Sequence, residues 1–262
     1  RGFESLTLRQ INFNRYIFYK MRRYLFLVIT MIFENFIKDF SIEVTPRAAE
    51  KIDDFNNYLP LGTNIYIAHI EGTPIEDMVH TAKKIADQGF SPMPHFPARI
   101  IKDRDTLGDW ISRYQSEANV KNALLIAGGA NSPYGDFDSS IQLIETELFD
   151  KANFKKLHIA GHPEGSIDID PDGSTKNVDE ALSWKNEFSK RTDASIAITT
   201  QFSFDSATVI DWVNRINELG IDIPVHIGIA GPAKLQTLLR YSIECGVGAS
   251  IKIIQKRAKD LT

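Results

Sequence analysis

Short apolar runs alternate with amphipathic stretches of helical period from residue 40 to residue 244, and this alternation limits the fold more than any other feature of the chain. The runs at 40–44, 65–70, 91–95, 123–127, 157–160, 196–200 and 225–229 are rich in β-branched and apolar side chains and are of strand length. Between them, 75–88, 106–116, 139–149, 179–190, 206–219 and 234–244 read as helices, and in the first of these Met78, Ala82, Ile85 and Ala86 share one face. Gly89 and Gly220 stand where a helix needs a left-handed cap. Strands and helices at this interval predict parallel pairing through right-handed crossovers, an α/β fold.

Polar side chains recur where these runs end. Glu43 ends one, His95 another, Gly161-His162-Pro163-Glu164 follows a third, and Gln201 follows Ser195-Ile196-Ala197-Ile198-Thr199. That is the layout of a TIM-type (β/α)8 barrel, whose active site gathers side chains at the C-terminal ends of several strands. Seven strand runs are legible, and 246–262 contains the charged run Lys256-Arg257-Ala258-Lys259-Asp260 instead of an eighth. The expectation is therefore a barrel lacking its last strand in this chain, because an open seven-stranded sheet leaves two unpaired edges.

With 262 residues and 43% hydrophobic content the chain can bury one large core, and a single barrel domain over 31–262 is expected. Residues 1–30 read as an upstream extension outside the fold, with an interfacial anchor as the alternative. Their apolar run is too short to span a bilayer, bracketed as it is by Lys20, Arg22, Arg23, Glu34 and Lys38. A net charge of -4 offers no broad cationic surface, so neither nucleic acid nor membrane is an expected partner. The single cysteine, Cys245, excludes an internal disulfide and fits a reducing, cytoplasmic setting. No metal site is expected from six scattered histidines without a helical i, i+4 pair.

From about 40 to about 248 the sequence resembles the methylenetetrahydrofolate reductases, a family of flavin-dependent barrels. The resemblance is carried by Phe40-Ser41-Ile42-Glu43-Val44-Thr45-Pro46-Arg47, Pro92-Met93-Pro94-His95, Gly161-His162-Pro163-Glu164-Gly165 and Ile198-Thr199-Thr200-Gln201-Phe202-Ser203-Phe204-Asp205. It implies FAD as cofactor, NADH or NADPH as electron donor, a folate as substrate and a role in one-carbon metabolism; a homo-oligomer is the expected assembly. Glu43 falls at the family's general acid, a role that needs a carboxyl whose pKa is raised by burial beside the flavin; a structural Glu paired with Arg47 or another base is the alternative. Gln201 falls at the residue that reads the pterin edge, with Phe204 beside it on the substrate side; an amide both donates and accepts, as that edge requires.

The resemblance also implies cofactor contacts at His95, Ala127, Gly128, Gly129, Phe137, Ala160, His162, Asn186 and Lys190, the last two by an ungapped count back from Gln201. In the family the turn after the fourth strand reads Arg-Gly-Asp, whereas here Ala127 and Gly129 replace the charged residues. That departure leaves open a folate-dependent methyl-transferring or demethylating barrel protein without flavin. The stretch Asp168-Ile169-Asp170-Pro171-Asp172-Gly173 mimics a Ca²⁺ loop, but a strand precedes it and Asp179 stands in place of the closing Glu, so a surface insertion beside the mouth is expected. No Gly-x-Gly-x-x-Gly follows a strand, so a pyridine nucleotide would share the folate face.

Overall fold

The computed structural model describes residues 39–231, 233–244 and 247. Two compact units make up the chain, 1–41 and 42–262, and nearly all described residues belong to the second. The extension expected at 1–30, the charged run at 256–260 and Cys245 lie outside the described residues.

Seven strands follow one another in chain order across one sheet: β1 (Ser41–Val44), β2 (Asn64–Ile67), β3 (Ser91–Pro97), β4 (Asn122–Ile126), β5 (Lys156–Gly161), β6 (Ser195–Thr200) and β7 (Val225–His226). From β2 onward the pairing is parallel, with Tyr66 opposite Met93, His95 opposite Leu124 and Ala160 opposite Thr199. Beside β2, the carbonyl of Val44 in β1 accepts the Ala68 N–H at 2.8 Å. The helices between are α1 (Pro46–Ala49), α2 (Ile75–Asp87), α3 (Arg104–Ala118), α4 (Ser140–Glu145), α5 (Leu148–Lys151), α6 (Lys176–Ser189), α7 (Ser206–Glu218) and α8 (Leu235–Glu244).

Local chemistry sets the helix ends. Asp103 accepts from Thr106 N at 2.8 Å to start α3, and Asp205 accepts from Ala207 N at 3.1 Å to start α7, each satisfying an orphan donor of the first turn. The helix expected over 139–149 is two helices, because Glu147 adopts a left-handed φ of 59° and breaks the ladder between α4 and α5. The helix expected from 179 begins three residues sooner, since both Asp170 carboxylate oxygens accept first-turn donors, from Asn177 N and Val178 N. Strand β7 is shorter than expected. Beyond His226 the Gly228 N–H turns to the Thr200 hydroxyl at 2.9 Å, and a Cβ on Gly228 would lie 2.4 Å from the Thr200 carbonyl.

Alternation along each strand divides the apolar residues into two sets. Ile42, Val44, Ile65, Ile67, Phe96, Ala123, Leu125, Leu157, Ile159, Ile196 and Ile198 join the large core shared with the helices. Tyr66, Met93 and Leu124, with Ile126, form a separate cluster on the other face. That second face is concave. In a flat sheet β2 and β5 would stand about 14 Å apart at the usual strand spacing, yet the Tyr66 hydroxyl meets His158 Nδ1 at 2.6 Å and Thr199 Oγ1 at 2.9 Å. The result is a seven-stranded parallel sheet curled like a half-barrel, with its C-terminal strand ends on one rim.

Candidate active site

Glu43, Tyr66, His95, His158, Thr199 and His226 occupy concave-face positions of β1, β2, β3, β5, β6 and β7, since their strand neighbours face the helices. His95 Nε2 lies 3.3 Å from Glu43 Oε2. The approach lacks hydrogen-bond alignment, and the buried Nε2 has no other partner. Burial pushes the Glu43 carboxyl up, but the polar contact and charge of the His95 imidazole beside it pull it down, and the net displacement is downward. The raised pKa expected for Glu43 is therefore absent from the chain alone. Glu43 keeps 58% of its side chain accessible, and burial, the largest single influence on it, is outweighed only by the two effects of His95 together. The basic side chain beside it is His95, not Arg47.

A second polar group lies deeper. Tyr66 Oη, His158 Nδ1 and Thr199 Oγ1 form a closed triangle, the third side being 3.1 Å, and the His158 ring meets His226 edge to face at 5.0 Å. Burial, then the charges of His226 and Lys156, push the His158 pKa down to about 4. The ring is thus neutral at pH 7, and its tautomer sets which way the proton points in the contact with Tyr66. Sequence reasoning missed this group, although a Tyr and a His at inward positions of otherwise apolar strands were its signal.

On the rim, Gln201 and His162 are brought together: Gln201 N donates to the Gly161 carbonyl at 2.9 Å. The Gln201 side-chain oxygen accepts from Phe202 N at 3.0 Å, which occupies one of its lone pairs. Phe204 packs edge to face on Phe202 at 5.6 Å. Ser203 donates to Glu164 at 2.8 Å, tying the loop after β6 to the loop after β5. His162 is pushed down to about 4 by burial and by the nearby Lys185 charge, against the opposing field of Asp168. Ala160 lies on the concave face one position before Gly161.

Ala127 follows β4, and its carbonyl accepts Arg99 N at 2.9 Å. Gly128 holds φ +97° and a Cβ there would lie 2.9 Å from Pro97 Cβ, so packing against the chain itself requires this glycine. At Gly129 an added Cβ would meet nothing within 4 Å. Three residues aligned with cofactor contacts point elsewhere. Phe137 is buried in the helix-side core. Asn186 donates to the Gly220 carbonyl at 3.1 Å and accepts from Asp222 N at 3.3 Å, which ties the end of α6 to the segment entering β7, away from the strand C-termini. Lys190 caps the same helix end, exposed and paired with Glu187 at 2.6 Å. Both positions stand at the C-terminal end of α6. Lys185, one residue before Asn186, is the buried cation, its pKa lowered by burial to about 8.

The insertion after β5 is anchored and holds no cation-binding cluster among the described residues. Asp168 pairs with Arg99 at 2.8 Å, Asp170 caps α6, and Asp179 pairs with Arg215. Arg99 also bonds Asp138 at 2.8 Å and the Ala130 carbonyl at 3.1 Å, so one guanidinium joins the loops after β3, β4 and β5. No described helix is long and apolar enough to cross a membrane. No family model matches the chain.

Proposed function

We propose that the curled sheet belongs to a (β/α)8 barrel and that the chain is a methylenetetrahydrofolate reductase-like oxidoreductase of the cytoplasm, moving a hydride between NAD(P)H and 5,10-methylenetetrahydrofolate. The observation that carries the reading is the Glu43–His95 pair on the concave rim, an accessible carboxylate against a buried imidazole. Around that rim Gln201 retains its NH₂ donors and one lone pair for a heterocycle edge, and Phe202 and Phe204 offer apolar contact. Glu43 gives a proton to the folate and so activates its methylene-bearing centre.

The residues fit a flavin at its ring end only. The unsatisfied His95 Nε2, the open side of Gly129 and the small Ala160 suit a flat ring set against the rim. Asn186 and Lys190, aligned with the phosphate end, are committed to the opposite end of α6. FAD, when bound, supplies the hydride-carrying chemistry; the chain supplies the acid, the pterin contact and exclusion of water. The same disagreement favours a second reading, a flavin-free folate-dependent methyl-transferring protein.

The two separate by the visible spectrum of the purified protein and its response to NADH under anaerobic conditions. A flavin band bleached by NADH, with methylenetetrahydrofolate restoring it, is expected for the reductase. A colourless protein that consumes a methyl-folate sinks the reductase reading in favour of the transferase, and no folate turnover of either kind sinks both.

A further inference from the structure

Glu43 reaches the open cleft, and His95 does not. The buried His95 Nε2 lies 3.3 Å from Glu43 Oε2 and has no aligned hydrogen bond among the described residues. The His95 ring is flanked by Tyr66, edge to face at 6.2 Å, and lies close enough to His69 that its charge opposes His69 protonation. Tyr66 is itself clamped through its hydroxyl by His158 and Thr199 from the far side of the curl, so its ring cannot swing away without breaking two hydrogen bonds.

We propose that Glu43 and His95 work as one proton-holding pair, with Tyr66 as the positioning residue that keeps the imidazole against the carboxylate. The proposal rests on the reading of Glu43 as the acid. It resolves a difficulty in that reading, since a carboxylate kept ionised by its neighbour has no proton to give. Where the pair holds a proton in water, the lowered Glu43 carboxyl is its ionised member and the proton lies on the imidazole side. A bound heterocycle displaces water, and two facing charges then cost more than a neutral carboxyl beside a neutral imidazole, so the proton crosses to Glu43 Oε2. Glu43 passes it to the substrate nitrogen, leaving carboxylate and neutral imidazole, and solvent recharges the pair after product leaves. Either residue alone lacks half of this. His95 is too deep to touch substrate, and Glu43 without His95 has no neighbouring group to hold its proton once water is displaced. Tyr66 by ring contact and His69 by charge are the titratable neighbours that flank the pair among the described residues.

The test is the ¹³C-NMR titration of the Glu43 carboxyl in the full-length, ligand-free protein, together with the pH dependence of folate turnover. In His95→Gln the Glu43 titration is expected to move up, because burial then acts unopposed, and kcat at neutral pH to fall about 100-fold with little change in folate KM. Tyr66→Phe keeps the ring but loses the clamp, and should lower kcat roughly threefold to tenfold with the same displacement of the pH profile. A Glu43 titration identical in wild type and His95→Gln overturns the pair, and a wild-type pH profile in Tyr66→Phe overturns the positioning role. Should His95→Gln not fold, Glu43→Asp retracts the carboxyl at an exposed position; an unchanged kcat and pH profile there also overturns the pair. A wild-type protein that turns over no folate refutes the folate reading alone, since the titration still decides whether the two groups are coupled.

Discussion

Acid should destabilise this protein through a residue no substrate touches. His158 is buried inside the curl, and its pKa falls from 6.5 to about 4. The unfolded chain therefore takes up a proton near pH 6.5 that the folded chain refuses until about pH 4, so stability is complete above the first value and is lost as pH falls toward the second. At about 1.36 kcal/mol per pH unit, this one ring costs roughly 2 kcal/mol by pH 5 and about 3 kcal/mol by pH 4. Protonation would also fix the direction of the Tyr66 contact, because a charged imidazole can only donate through Nδ1. Urea unfolding at several pH values between 7.5 and 4.5, on wild type and His158→Gln, measures the effect. The glutamine offers Tyr66 a carbonyl without the titration, so its stability should decline with acid by about 2 kcal/mol less than wild type at pH 5. His162, His69 and His226, all lowered by burial, leave a residual slope in both proteins, which the comparison removes. Parallel stability curves for the two proteins would refute the argument that His158 is buried neutral.

Gly161→Ala would place a Cβ 2.5 Å from Ile198 and 3.0 Å from Trp212, so overpacking of about 1–3 kcal/mol is expected by urea unfolding, with the loss reduced in an Ile198→Ala background. A neutral substitution would mean that β5 and α7 pack less closely than described. Asn186→Ala should cost about 1–3 kcal/mol, because it orphans the Gly220 carbonyl and Asp222 N–H, while leaving the affinity for any flavin unchanged. Loss of flavin affinity without loss of stability, read by equilibrium dialysis, would restore Asn186 to the cofactor site.

Strand and helix identity was legible because it is written in local periodicity, and the inward placement of Glu43 and His95 follows from alternation once β1 and β3 are recognised. The ends of elements were less legible. The break at Glu147 and the early start of α6 depend on a left-handed residue and on a carboxylate from the preceding loop, and neither leaves a periodic trace. Asn186 and Lys190 were misplaced for a related reason, since a count back from Gln201 carries no information about which end of α6 faces the rim.

By itself the amino-acid order determined the alternation of strands and helices, the parallel sense of the sheet and which face of each strand is polar, all of which are properties of neighbouring residues. Only tertiary structure decided that His95 meets Glu43, that Tyr66 meets His158 and Thr199 across the curl, and that Arg99 gathers Asp138 and Asp168. Those contacts join residues as many as 133 positions apart. They exist because strand twist curls the sheet until distant strands face each other, and the chemistry of the concave face is a product of that curvature.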